Sequence, residues 1–243
     1  MQHPPPTEKP TRSHGIRAIA AASLLCAASA HANIEITEWA YSAAGGEFIE
    51  FASLGALPVD FSSWVYDDER RFSSVAAGGF DLSGFGLVAA GESVVLTESV
   101  AANFRAAWDL DASVKVLGGF TNNLGRNDEI NLFDASGALV DRLRFGDSSY
   151  APGTIRTQNV SGNPGTLAAL TPTTVTTGWV LSAAGDVMGS VVSAGGDIGN
   201  PGAFALSPVP ETGTLALWLA GLAAMVGVAR RRAATPGTAA GAA

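Results

Sequence analysis

Short runs in which apolar and polar residues alternate, separated by turns rich in Gly, Asn, Asp and Ser, fill the middle of this chain. Such alternation predicts strands that bury one face. The clearest case is a hairpin, in which strands at 129–133 and 139–145 flank a turn at 134–137. In its second strand Asp141 has the parity of the leucines, and the arginines alternate with them. We therefore expect the arginine side of this strand to be solvated.

The rest of the pattern predicts one helix and further strands. An Ala-rich segment at 100–108, preceded by Ser99 as an N-cap, places Phe104 and Trp108 four residues apart on one helix face. We expect strands at 33–39, 47–51, 63–66, 86–89, 93–97, 113–116 and 178–182, the first two joined as a hairpin at 45–46. Many short strands with one short helix predict a mostly β fold, a β-sandwich.

Two segments lack a clear period. Residues 146–177 are rich in Gly, Pro, Ser, Thr and Asn, which predicts a long surface excursion with at most an edge strand at 154–158. Residues 185–202 are glycine-rich, and we expect them to be loose.

The N-terminal end has the layout of a secretory signal peptide over residues 1–32. A basic region is followed by an apolar stretch at 16–28 and by Ala30 and Ala32 as a small-x-small site. This order predicts cleavage between Ala32 and Asn33. The alternative is an uncleaved membrane anchor, for which the apolar stretch is short.

The C-terminal end carries an uncharged apolar run at 215–229, followed directly by Arg230, Arg231 and Arg232. As a helix this run spans ~22 Å, which is short for a hydrocarbon core of ~30 Å unless the bilayer thins or flanking groups snorkel. Because arginines stay on the cytoplasmic side, most of the chain would lie outside. We predict a transmembrane helix at 214–229, and the alternative is a buried helix of a soluble domain.

Val209, Pro210 and Glu211 stand just before this run. The order Val-Pro-Glu, apolar helix and arginine cluster, over 208–232, resembles the PEP-CTERM sorting signal of exopolysaccharide-producing Gram-negative bacteria. The resemblance implies that an exosortase-type processing enzyme recognises Pro210 and Glu211 and removes the helix. Thr212 departs from the pattern, which usually has a second proline there, and residues 233–243 form a short extra tail.

Removal of both ends would leave a domain at 33–207 with restricted chemistry. All three histidines and the single cysteine precede Asn33, so this domain has no imidazole and no thiol. It keeps eight of the fourteen basic residues and twenty of the twenty-two acidic ones, which gives a net formal charge of −12. These facts argue against Ser-His-Asp and Cys-His catalysis, transition-metal sites and nucleic-acid binding. We expect no enzyme and no cofactor.

Several motifs of this domain resemble the lamin tail domain. The segments at 47–51 and 59–64 are similar to that family's E-x-I-E-L and D-L-S-G-W, and 128–141 is similar to its hairpin. The closing Gly-Asn-Pro-Gly at 199–202 is similar to its terminal S-P-G. The order agrees over most of 33–205. The resemblance implies an immunoglobulin-like β-sandwich that acts as a binding or structural module.

Three candidate sites have competing interpretations. A calcium site would need several converging oxygens, and a glycosidase would need a carboxylate pair, but neither a calcium-loop spacing nor a catalytic motif is present. Four tryptophans offer either core side chains or a sugar-stacking platform: Trp39, Trp64, Trp108 and Trp179. The oxygen donors considered for calcium are Asp67, Asp68, Glu69, Asp109, Asp111, Asn122, Asn123, Asn127 and Asp128.

We therefore expect an exported, acidic, non-enzymatic β-sandwich of a Gram-negative bacterium. It would be held in the inner membrane transiently and then sorted to the cell envelope or extracellular matrix. There it would bind or space extracellular polysaccharide or a surface protein, in a role linked to exopolysaccharide or biofilm. The alternatives are a carboxylate-based extracellular hydrolase and a calcium-stiffened adhesion domain.

Overall fold

A computed structural model describes residues 33–43, 45–68, 74–146, 155–171 and 178–205. These residues are mostly β, with one α-helix, α1 (Ala101–Trp108), and short 3-10 helices at Val75–Ala77, Ser83–Phe85 and Leu167–Ala169. The strands are β1 Ile34–Ala40, β2 Phe48–Ser53, β3 Val59–Asp60, β4 Val65–Asp67, β5 Phe80–Asp81, β6 Leu87–Val88, β7 Ser93–Thr97, β8 Lys115–Gly118, β9 Asp128–Phe133, β10 Leu139–Phe145, β11 Gly162–Pro164, β12 Trp179–Leu181, β13 Val191–Val192 and β14 Ile198–Gly199.

Two sheets form the body of the described domain. The larger sheet has six strands in the order β12-β11-β1-β2-β7-β8, and the smaller has four in the order β10-β9-β4-β5. Neighbouring strands run antiparallel except β7 and β8, which are parallel because α1 carries the chain back between them. Two small ribbons are also present, β3 with β6 and β13 with β14.

The two sheets face each other across one apolar core. Trp39 of β1 lies with its ring centroid 5.3 Å from that of Phe145 in β10 and 4.9 Å from that of Trp179 in β12. Ile36 and Leu132 are almost fully buried in the same core. Burial of each such side chain contributes ~1.5–3 kcal/mol, so this interface supplies most of the driving force for folding. The predicted β-sandwich is confirmed.

Helix α1 covers part of the outer face of the larger sheet. Phe104 and Trp108 pack on Phe48 of β2 with ring centroids 5.4 and 5.6 Å away, as their spacing predicts. The predicted N-cap was wrong by one residue. The Val100 carbonyl accepts the first helical N–H groups, because the Ser99 carbonyl already accepts the Gly119 N–H.

The predictions differ from the structure in the two segments that lack a clear residue pattern. The predicted surface excursion at 146–177 was wrong for Gly162–Pro164, since this segment forms β11 and is buried between β1 and β12. The described part of 154–158 holds no strand and only an isolated bridge from Gln158 to Ser42. The supposedly loose segment at 185–202 contains the β13–β14 ribbon.

The arginine side of β10 is not solvated as predicted. The Arg142 side chain is only 14% exposed, and its Nε donates to Asn131 Oδ1 at 2.7 Å. Glu129 lies on the same face, with its carboxylate 3.9 Å from Arg142. This face of the hairpin is therefore half-buried and held by polar contacts.

Replacing Gly118 by Ala is expected to destabilise the domain strongly. A Cβ at this end of β8 would meet the Ser99 carbonyl and would lie 2.5 Å from the Ala101 backbone nitrogen, so backbone must move. We expect a loss of ~3 kcal/mol in unfolding free energy, measured by urea denaturation. Gly84→Ala is the matched control, because its Cβ would displace only a Leu117 methyl group. Equal losses in the two variants would contradict the packing argument.

Candidate functional site

Most of the predicted processing and sorting residues lie outside the described part of the chain. Asn33 is described, and it is an exposed residue directly before β1. In the ranges that the structure covers, no helix has the length and apolar character needed to span a bilayer. The predicted sites outside the described residues are Ala30, Ala32, Val209, Pro210, Glu211, Arg230, Arg231 and Arg232, together with the predicted helix at 214–229.

The most unusual described feature is a pair of buried glutamates, Glu38 and Glu50. They stand opposite each other in the β1–β2 register, and neither side chain is exposed to solvent. The sequence analysis missed the pair because strict alternation would place Glu38 on the face of Ile34 and Ile36. A bulge between Ile36 and Glu38 shifts the parity, so Glu38 turns to the outer face of the larger sheet.

The C-terminal strap, residues 198–204, crosses over this pair and donates backbone hydrogen bonds to both carboxyls. The Asn200 N–H donates to Glu38 Oε1 at 2.8 Å, and the Gly202 N–H donates to Glu50 Oε2 at 2.7 Å. A Cβ at Gly199 would lie 2.8 Å from Glu38 Oε1, so only glycine lets the strap approach this closely. The Gly-Asn-Pro-Gly motif thus has a structural role.

Hydroxyl groups of the larger sheet complete the surroundings of the pair. Thr37 donates to Glu50 Oε1 at 2.6 Å, and Ser161 donates to Glu38 Oε1. Ser182 in turn lies 2.7 Å from the Ser161 hydroxyl and accepts from Asn163 Nδ2 at 2.7 Å. Each glutamate therefore accepts several donors, which is what a buried carboxyl requires.

The hydrogen-bond acceptors around the pair are only partly satisfied. Glu38 Oε2 and Asn200 Oδ1 are buried acceptors with no donor among the described residues. Burial raises the pKa of Glu38 to about 8, and the nearby Glu50 carboxyl adds to the rise. Burial also raises the pKa of Glu50 to about 7. With no solvent access, the pair holds the strap and cannot reach a substrate.

A second carboxyl pair, Glu35 and Asp141, lies in an open cleft of about 570 Å³ that is lined by polar and apolar residues in equal number. Asp141 accepts the Ile36 N–H at 2.7 Å and so ties β10 to β1. Burial and the Asp141 charge raise the pKa of Glu35 to about 7. The two carboxyls interact closely, since each affects the pKa of the other.

The residues considered for calcium are only partly brought together. Asp67 is buried and accepts from Asn122 Nδ2 at 3.0 Å, and burial followed by contact with Asp67 raises the pKa of Asp68 to about 6. Asp111 instead accepts the Ser113 N–H in the turn after α1. Glu69 lies outside the described residues. Across the described ranges, no three His, Cys, Asp or Glu side chains are arranged to hold a metal ion.

The tryptophans do not form a sugar-stacking platform. Trp39, Trp108 and Trp179 are at most 5% exposed and belong to the apolar cores. Trp64 is half-buried and lies on Phe61, with ring centroids 4.7 Å apart. The core interpretation of these side chains is the one that the structure supports.

Comparison with known proteins gives one clear result. No curated protein matches the chain. The family model of the Lamin Tail Domain matches residues 27–147, a range that includes β1 to β10. The remainder of the predicted resemblance, including the motif at 199–202, lies outside that match. The mostly β architecture and the family match together identify residues 27–147 as a lamin tail domain.

Proposed function

We propose that this protein is an exported component of the cell envelope or extracellular matrix, sorted by its C-terminal PEP-CTERM-like signal. An exosortase-type enzyme and the inner membrane would be its transient partners. The carrying observation is that the folded domain fits between the two predicted processing sites. Strand β1 begins at Ile34, directly after Asn33, and the strap ends with the Phe204 N–H donating to Ser93 Oγ.

We further propose a non-enzymatic role for the immunoglobulin-like domain, binding or spacing extracellular polysaccharide or a surface protein. Its two carboxyl pairs support this proposal in different ways. Glu38 and Glu50 are sealed from solvent and occupied by the strap. Glu35 and Asp141 interact closely with each other, and Asp141 also accepts the Ile36 N–H, so both carboxyls have structural partners.

The intact mass of the protein from its native host tests the sorting. We expect a membrane-bound form and a released form, the released one beginning at Asn33 and ending near Pro210. Mass above that of the polypeptide would indicate attached glycan and support a matrix role. A single species that keeps residues 215–243 would overturn the sorting proposal and leave an anchored domain.

Two variants sharpen this measurement. Glu211→Ala removes part of the proposed recognition motif, so the tail should be retained. Thr212→Pro restores the second proline of the family pattern, so cleavage should be at least as complete as in the parent. If the masses place the C-terminus at the same residue in both variants, the motif is not recognised.

A further inference from the structure

The first and the last residues of the described domain lie at the same end of its larger sheet. The register pairs Ile34 with Ser53, and the Leu54 N–H donates to the Asn33 carbonyl, so β1 starts where β2 finishes. Ser93 begins β7 beside Ala52. Because the Phe204 N–H donates to Ser93 Oγ at 3.1 Å, the strap also finishes here. We call this region the exit end.

The exit end carries three exposed leucines. Leu57 is 50% exposed in the loop after β2, Leu87 is 62% exposed in β6, and Leu167 is 59% exposed at the rim of the cleft that Asn33 lines. Lys115, the single lysine of 33–207, donates to the Leu87 carbonyl and pairs with Glu92 at 3.0 Å. This ion pair offsets the Glu92 charge in a domain that is otherwise strongly acidic.

Chain length fixes how far this end can move from a bilayer. From Ala205 to the start of the apolar segment at 214 the chain has nine residues, which span at most ~30 Å when extended. While the tail is uncut, the exit end therefore stays within reach of the lipid surface at high effective concentration. The opposite end of the domain, where Gly45 donates to Asp197, points away.

From this geometry we infer that the exit end is a lipid-contacting surface, with Leu57 and Leu87 in the interfacial region of the bilayer before the tail is cut. The inference rests on the proposed membrane tail. Asp60 lies opposite Leu87 in the β3–β6 register and is exposed, which limits the contact to the headgroup level. Leucine side chains at that depth strengthen the binding of the domain to the bilayer, which the proposed membrane tail already favours.

Site-specific fluorescence on the full chain tests this surface. In a Cys26→Ser background, single cysteines at Leu57 or Leu87 receive a polarity-sensitive fluorophore, and the protein is placed in phosphatidylcholine vesicles that contain a nitroxide lipid quencher. Val192→Cys is the matched control, since Val192 is 55% exposed in the β13–β14 ribbon, away from the exit end. The Ala194 N–H, two residues further on, donates to the Ala107 carbonyl near the end of α1. Equal melting temperatures confirm that the variants fold.

We expect a blue shift and at least ~twofold stronger quenching at positions 57 and 87 than at position 192. If the chain floats with the vesicles but all three positions are quenched equally, or position 192 most, the lipid-contacting surface is overturned and the membrane tail is kept. If the chain does not float with the vesicles, the proposed tail is wrong, and the inference falls with it.

Discussion

Replacing Glu50 by Ala is expected to lower the melting temperature of the domain by about 10 °C. The change removes the acceptor for the Thr37 hydroxyl and for the Gly202 N–H. Donors left without partners in a buried site cost ~1–3 kcal/mol each, and loss of one partner of a buried charged network costs ~3–5 kcal/mol. Calorimetry of the purified domain provides the measurement.

Glu50→Gln is the matched control for this prediction. The amide keeps one oxygen acceptor and the shape of the side chain, so most of the stability should remain. It also removes one of the two titratable carboxyls that face each other across β1 and β2. If the Ala variant melts within about 2 °C of the parent, the strap does not depend on the glutamate, and the role assigned to the pair is wrong.

Stability is expected to fall as the pH rises from about 5 to about 9, the reverse of the usual behaviour of carboxylate-rich domains. The folded state raises the pKa of Glu38 to about 8 and of Glu50 to about 7, against an ordinary value of 4.5. The folded protein therefore binds more protons than the unfolded chain between these values. The resulting stability is complete below the unfolded pKa and is lost as the pH passes through the folded pKa.

The melting temperature should drop by about 5–10 °C over this pH range. Glu35 and Glu47, whose pKa values burial raises to about 7, contribute in the same direction. The double variant Glu38→Gln, Glu50→Gln should reduce the slope by about half, because it removes the two fully buried groups. A parent protein whose melting temperature rises between pH 5 and pH 9 would contradict the assignment.

Local pattern predicted the strands whose residues alternate or have high β-propensity. The bounds of β7 and β10 agree with the prediction, since Ser93–Thr97 is rich in β-branched residues and Leu139–Phe145 alternates. Other predicted strands shift by one or two residues where a turn intervenes. Ser63, for example, has a φ of 64° and lies before β4, so the strand begins at Val65.

Tertiary contacts decided the parts that the sequence did not predict. Gly162–Pro164 has no β-propensity and no alternation, and β11 exists because β1 and β12 pair with it on both sides. The Glu38–Glu50 pair could not be predicted without the bulge in β1, and no residue type at that position indicates a bulge. One signal was present, because Glu50 is a charged residue within the otherwise apolar run of β2, and such a residue requires a buried partner.

The strap also sets the order in which this molecule completes its fold. The Asn200 and Gly202 hydrogen bonds reach back 162 and 152 residues to Glu38 and Glu50. A chain that emerges N-terminus first thus displays two uncovered carboxyls until nearly the whole domain has been delivered. Contacts this distant in sequence form late and slowly. The strap can therefore dock on the larger sheet only after the chain has emerged as far as Gly202.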